Sequence, residues 1–253
     1  MKSNTFKDHF SASSDKYSQY RPNYPAMLFN LLSSITSGHE LAWDCATGSG
    51  QAALGLVKYF NKVIATDASE RQIANAIHHE KISYKVAPAH QTPIQTETVD
   101  LITVAQALHW FEFDLFYKEA ERVLKQNGII AAWTYGLFTI SEKIDKIIHY
   151  FYFNVVGEFW PPERKLVENG YEDIPFPFYK LPSPSFRMSA EWSVEQLMGY
   201  LETWSAVKRY KDNTGNDPVE SIEQELIRLW DNNSGVRTVN WPLSMMIGRK
   251  THA

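Results

Sequence analysis

The sequence predicts an α/β protein, a doubly wound and mostly parallel sheet with a helical insertion or cover. Three observations predict it. Short apolar runs alternate with helix-like runs through the first half of the chain. Two of those runs end in an acid, Asp44 and Asp67. A glycine turn joins the first of them to a helix-like segment.

The elements follow in order. "ELAWDCA" (40–46) reads as a strand, "TGSGQ" as a turn and "QAALGLVKYF" as a helix. "KVIATD" (62–67) is a second strand. Ser69 with Gln72 three residues on makes a capping box, opening a helix over roughly 70–80 with Ile73, Ala76 and Ile77 on one face. "ISYKVA" (82–87) and "DLITVA" (100–105) are the third and fourth strands. Phe116, Ala120, Val123 and Leu124 have helical spacing, and Asn127-Gly128 supplies a C-cap. "IIAAWTY" (129–135) is a fifth strand. Repeated β-α-β units with short loops give a parallel sheet covered on both faces.

The last third changes character. Ser141 opens a helix with Ile144, Ile148, Phe151 and Val155 on one stripe. "DIPFPFYKLPSPSF" (173–186) is too rich in proline for regular helix. Ser193 and Gln196 form another capping box. Asp217, Pro218 and Glu220 mark the start of a helix through Trp230, and "WPLSMMIGRK" (241–250) reads as a closing strand. The chain is therefore read as one domain: 1–38 an N-terminal lid and helix, 39–135 a cofactor-binding half, 136–236 a substrate cover of extra helices, and 237–253 the closing strand.

Composition bounds the function. The chain has 253 residues, 44% hydrophobic and 14% aromatic, enough for a sizeable core. A net charge of -4 offers no basic field for nucleic acid. Cys45 is a single cysteine, which fits a reducing compartment. "MKSNTFKDHF" has no apolar core of a signal peptide, and no apolar run approaches the roughly 20 residues of a membrane helix. The expectation is a soluble, cytoplasmic protein with a small-molecule substrate, its oligomeric state left open.

The glycine turn carries the chemistry. Gly48, Gly50 and Ala53 fit G-x-G-x-x-A, a spacing shared by dinucleotide sites. Asp44 stands before the glycines, where it would repel a pyrophosphate and attract a cationic amino group. Asp67 ends the next strand, where a carboxylate accepts from both hydroxyls of a ribose. A nucleoside with a positively charged amino-acid tail, S-adenosylmethionine, suits both acids.

"DCATGSGQ", "VIATDASERQI", "APAHQTP" and "VAQALHWF" resemble the class I S-adenosylmethionine-dependent methyltransferases. Within them they are similar to the small-molecule group that includes trans-aconitate methyltransferases, as are "YSQYRPNYP" (17–25) and the closing strand. The resemblance implies a seven-stranded, Rossmann-like sheet. It places the turn of Ala46, Gly48 and Gly50 on the methionine part of the cofactor, Asp67 on its ribose and Ala68 against its adenine. Ala89 and His90 fall on the adenine-side loop, where relatives often carry an acid. Ala105 and Gln106 approach the amino group from the fourth strand. Tyr20 and Arg21 belong to a segment that folds over the cofactor in relatives, and Arg21 pairs there with the carboxylate.

His109 and Trp110 follow the fourth strand and are the candidate catalytic pair. A hydroxyl acceptor needs a base, which His109 could supply. A carboxylate acceptor is already ionised and needs donors instead. Trp110 offers only a donor and His109 can donate too, so the pair suits carboxyl O-methylation of a small organic acid. Its likeness to the His-Trp of plant carboxyl methyltransferases points the same way. Two other classes stay open: a nicotinamide-dependent oxidoreductase, which Asp44 disfavours, and a non-catalytic cofactor-binding module.

Other clusters have blander readings. His78, His79 and Glu80 end a helix and lack zinc-site spacing, so no metal is expected. Trp192, Tyr200 and Trp204 read as core, with an aromatic pocket as the alternative. "ERK" (163–165) reads as a solvated face.

Overall fold

The structure is a computed structural model that describes residues 22–230 and 235–251. Helix α1 (Ala26–Ile35) leads into strand β1 (Leu41–Cys45), helix α2 (Gln51–Leu56), β2 (Lys62–Asp67), α3 (Glu70–Ala74), β3 (Ile82–Val86) and β4 (Val99–Ala105). A 3₁₀ turn (Leu108–Trp110), α4 (Phe113–Val123) and β5 (Leu124–Tyr135) follow. Helix α5 (Glu142–Tyr150) runs into a π-helical turn (Phe151–Val155) and then a 3₁₀ turn (Gly157–Phe159). The chain closes with α6 (Arg164–Glu168), β6 (Tyr179–Leu181), β7 (Phe186–Trp192), α7 (Val194–Glu202), α8 (Ser205–Thr214), α9 (Glu220–Trp230) and β8 (Arg237–Arg249).

The sheet runs β3-β2-β1-β4-β5-β8-β6, with β7 also on β8. Strands β1 to β5 pair in parallel and β8 pairs antiparallel with β5. The expected doubly wound α/β sheet is therefore present, with eight strands where seven were expected. The extra strand has a simple origin. β6 and β7 lie along the same edge of β8, on successive stretches of it. Pro182 and Pro184 separate them, because proline cannot donate to the ladder.

Side chains alternate across the central strands and fill two cores. Ala42, Val63, Leu101 and Trp133 belong to one, and Trp43, Ile64, Ile102 and Ala132 to the other. Both faces are covered, so the ligand-accessible part of such a sheet is the carboxyl edge of its strands.

Several boundaries differ from the sequence reading. Helix α3 stops at Ala74 instead of near 80, because the Ile77 N–H donates to the Ser49 carbonyl and draws the chain back to the glycine turn. Asn127-Gly128 does not cap α4. The Lys250 ammonium donates to the carbonyls of Glu121 and Leu124, satisfying that helix end. Asn127, at φ 63°, instead marks the irregular start of β5, where its pairing with β4 shifts register. Ser69 accepts from the Gln72 N–H, and Ser193 with Gln196 forms the full reciprocal box. The segment 136–236 holds strands β6 and β7 as well as the expected helices.

Candidate active site

Strain marks the carboxyl edge. Ala46 follows β1 and Gln106 follows the neighbouring β4, and both have positive φ, 54° and 55°. A side chain in that region costs about 1–3 kcal/mol and persists where the surroundings over-determine it. Between β1 and α2 the turn continues through Gly48 at φ 55° and Gly50 at φ 87°. A methyl group built on Gly48 would meet nothing within 4 Å, so this part of the turn faces open space. On Gly50 it would collide with the Tyr84 hydroxyl. The turn is thus held tight on one side and left clear on the other, a surface that a ligand can approach closely.

The two strand-end acids hold this turn, each differently. Asp67 accepts from the backbone N–H of Gly48 and of Ser69, both at 2.9 Å. Asp44 is fully buried. Its oxygens accept from the hydroxyls of Thr47 and of Thr103, its register partner on β4. Burial pushes its carboxyl up to about 6, against the lowering effect of those hydroxyls. Asp44 is expected from sequence to attract a ligand's amino group; in the structure both of its oxygens accept from threonine hydroxyls. Asp44 sits beneath the turn and acts on it through Thr47.

The remaining cofactor candidates are placed unevenly. Ala68 and Ala89 are half-buried at the ends of β2 and of the β3 loop, and His90 is exposed. Ala105 packs against the first core. The Gln106 side chain folds back on β5: its carbonyl accepts from the Thr134 hydroxyl and its amide donates to the Tyr135 carbonyl at 3.3 Å. Tyr20 and Arg21 lie outside the described residues. Of the proposed lid, Tyr24 is described and packs edge-on against Trp133, ring centres 5.4 Å apart.

Beyond Gln106 a cleft of about 60 Å³ opens between the ends of β4 and β5 and the elements of 136–236. His109 and Trp110 line it together, their rings 4.8 Å apart. His109 Nδ1 lies 2.8 Å from the Tyr171 hydroxyl, which belongs to a left-handed turn after α6. Burial, helped by the positive charge of Arg164, lowers the imidazole to about 3. His109 is therefore neutral at neutral pH, a donor or acceptor of hydrogen bonds and a poor base.

The sequence reading missed two of these residues. Tyr171 is far from His109 in sequence, and only the Asn169-Gly170 turn signal hints at its setting. Arg164 belongs to the "ERK" run read as a solvated face, yet it lines the cleft. The aromatic stripe divides: Tyr200 and Trp204 line the cleft, while Trp192 packs in the core against Trp241 at 4.7 Å. Among the described residues no group of three or more His, Cys, Asp or Glu is placed to hold a metal, and no helix is long and apolar enough to cross a membrane.

Comparison with known proteins agrees with this geometry. The family model described as a methyltransferase domain matches residues 43–132, from the strand before the glycine turn to β5. A Dictyostelium discoideum protein named as a methyltransferase is 33% identical over 97% of this chain and 96% of its own length. A solved structure from Anaeromyxobacter dehalogenans, named as a type II methyltransferase, is 39% identical. It covers 92% of this chain and 99% of its own, with a TM-score of 0.86. A malonyl-[acyl-carrier protein] O-methyltransferase of a Marinomonas strain is 29% identical over 53% of this chain and 52% of its own length. The glycine turn, the acid ending β2 and the likeness along nearly the whole chain lead to one conclusion: this chain belongs to the class I S-adenosylmethionine-dependent methyltransferases.

Proposed function

We propose that the protein is a carboxyl O-methyltransferase acting on a small organic acid. One observation carries the reading. The histidine at the acceptor cleft is held neutral, between the Tyr171 hydroxyl and a guanidinium, and is lowered to about 3. Such an imidazole is a poor base for the proton of an alcohol at neutral pH. A carboxylate needs no base, because its pKa of about 4 leaves it ionised. Were the Tyr171 hydroxyl to donate to Nδ1, the neutral imidazole would carry its proton on Nε2 and could donate from there.

The open face at Gly48 fits a cofactor that lies close on the backbone. Gly48 to Gly50 and Ala46 would hold its amino-acid part, Asp67 its ribose, and Ala68, Ala89 and His90 its adenine side. Ala105 and Gln106 would close the β4 side, with Tyr20 and Arg21 above. When bound, S-adenosylmethionine supplies the methyl group on a positively charged sulfur. The chain's own task is then positional. Trp110 and His109 hold one carboxylate oxygen so that the other faces the methyl, and the half-buried cleft limits water. Alignment of this kind is worth up to about 7–11 kcal/mol in model systems.

The distant likeness to an O-methyltransferase of malonyl-[acyl-carrier protein] supports transfer to oxygen. The test is turnover of methyl-labelled S-adenosylmethionine with a panel of organic acids, followed by mild base. An ester releases its label as methanol. A product that keeps the label, as an ether or an N-methyl group does, overturns the carboxyl reading.

A further inference from the structure

Arg164 is a positive side chain set into an aromatic wall. Its guanidinium lies 4.6 Å from the Trp160 ring centre and 5.3 Å from that of Tyr152. Its Nε donates to the Tyr152 hydroxyl, which in turn donates to a Glu168 oxygen at 2.6 Å. Tyr152 is buried and belongs to the π-helical turn that continues α5, an irregularity often found beside functional sites. The relay fixes one edge of the guanidinium plane. Its two terminal amino groups hydrogen-bond to no protein group among the described residues, and no carboxylate there lies within ion-pair distance. The same cleft is lined by His109 and Trp110, and Arg164 is the one formally charged side chain among its described lining residues. A half-buried guanidinium in such surroundings favours an oxyanion that its two amino groups can reach.

We propose that Arg164 is the residue that selects the ionised acceptor, donating to the same carboxylate oxygen that His109 and Trp110 hold and leaving the other oxygen free to face the methyl. The inference rests on the carboxyl reading and adds the residue that enforces it. Tyr152 and Glu168 are positioning residues that hold the guanidinium. Discrimination follows from charge. The acid gains an ion pair in the cleft, whereas its amide and its methyl ester do not. The product thus leaves a site that the substrate binds well, because methylation removes the charge that Arg164 reads.

The experiment is calorimetric titration of the full chain, saturated with S-adenosylhomocysteine. The probes are straight-chain mono- and dicarboxylates of four to eight carbons, their neutral methyl esters, and inorganic phosphate. It uses the wild type, Arg164→Gln, Arg164→Lys and Tyr152→Phe. At least one acid should bind the wild type, and Arg164→Gln should weaken it about 10- to 100-fold, the scale of a charged hydrogen-bonded pair. Arg164→Lys and Tyr152→Phe should fall between, and S-adenosylhomocysteine affinity should be unchanged in all four proteins. Acid binding that is equal in wild type and Arg164→Gln overturns the proposal, as does wild type that binds phosphate or esters but no acid. Loss of acid binding in Arg164→Gln without any ester-forming turnover by the wild type would leave the anion site standing and remove the carboxyl reading. Ester-forming turnover with an unaltered KM in Arg164→Gln would do the reverse.

Discussion

Replacing Asp67 by alanine separates the two duties of that carboxylate. In the structure it accepts from the Gly48 and Ser69 backbone N–H groups at 2.9 Å each. Bonds to a charged acceptor are worth about 1.5–3 kcal/mol each. Asp67 is half-buried, and water can reach part of the vacated space. The two bonds together should then cost about 2–3 kcal/mol of stability when lost. Cofactor binding should weaken independently, by about 1.5–3 kcal/mol for the missing ribose contact, or roughly 10- to 150-fold in Kd. Asp67→Asn keeps the shape and one acceptor oxygen but removes the charge, so it should lie between alanine and wild type on both scales. Urea unfolding reads the first effect, and calorimetric titration of S-adenosylhomocysteine into folded protein reads the second. Unchanged affinity in a well-folded Asp67→Ala protein would refute the ribose role. Unchanged urea stability would refute the turn-holding role.

Three more outcomes follow from the same geometry. Trp110→Phe removes an N–H donor at the cleft and should raise KM for the acceptor more than it lowers kcat, because ground-state binding is lost; steady-state kinetics showing a pure kcat defect would contradict it. Gly50→Ala forces a methyl group into a left-handed backbone and against the Tyr84 hydroxyl, which now donates to the Ile77 carbonyl at 2.7 Å. The sum is about 1.5–3.5 kcal/mol, or a Tm lower by roughly 4–10 °C; Tyr84→Phe should cost less in that variant than in wild type, and strict additivity of the two in thermal melts would count against the clash. For pH, His109 is lowered to about 3, so between about 3 and 6.5 the unfolded chain holds a proton that the folded chain does not, and this contribution to stability rises with pH. Asp44 is raised to about 6, so between about 4 and 6 its contribution falls as pH rises. Wild type contains both opposing slopes, whereas His109→Gln keeps only that of Asp44. The stability of wild type relative to His109→Gln should therefore grow with pH, by about 1 kcal/mol per unit from 4.5 to 6 in urea titrations. A difference independent of pH would show that His109 is not held neutral.

The parallel half of the sheet was legible from local signals alone. Short continuous apolar runs and acids near strand ends are local signals, and the observed β1 to β4 agree with the reading to within a residue or so at each end. The sequence also located the glycine turn, because positive φ at Gly48 and Gly50 is a demand that one residue type meets cheaply. The pair His109–Trp110 stood out because it follows a buried strand at the ligand edge, and both residues line the cleft there.

Tertiary structure decided what depends on distant partners. The edge strand "FRMSAEW" alternates inward at Phe186, Met188, Ala190 and Trp192, a signal present in the sequence but masked by the prolines before it. Asn127-Gly128 reads locally as a helix cap, and becomes a strand irregularity because Lys250 reaches that helix end from the far end of the chain. Asp44 reads as a ligand-facing acid and is instead enclosed, since its register partner on β4 is a threonine whose hydroxyl it accepts. The cleft beside His109 was the least legible part. Arg164 in "ERK" has the local look of surface charge, and Tyr171 has no periodic relation to His109. They come together because Arg164 opens α6 and Tyr171 stands in the left-handed turn after it, beside the ends of β4 and β5. No local propensity encodes such a meeting: its stability comes from contacts between residues far apart in the chain, which exist once the sheet has brought them together.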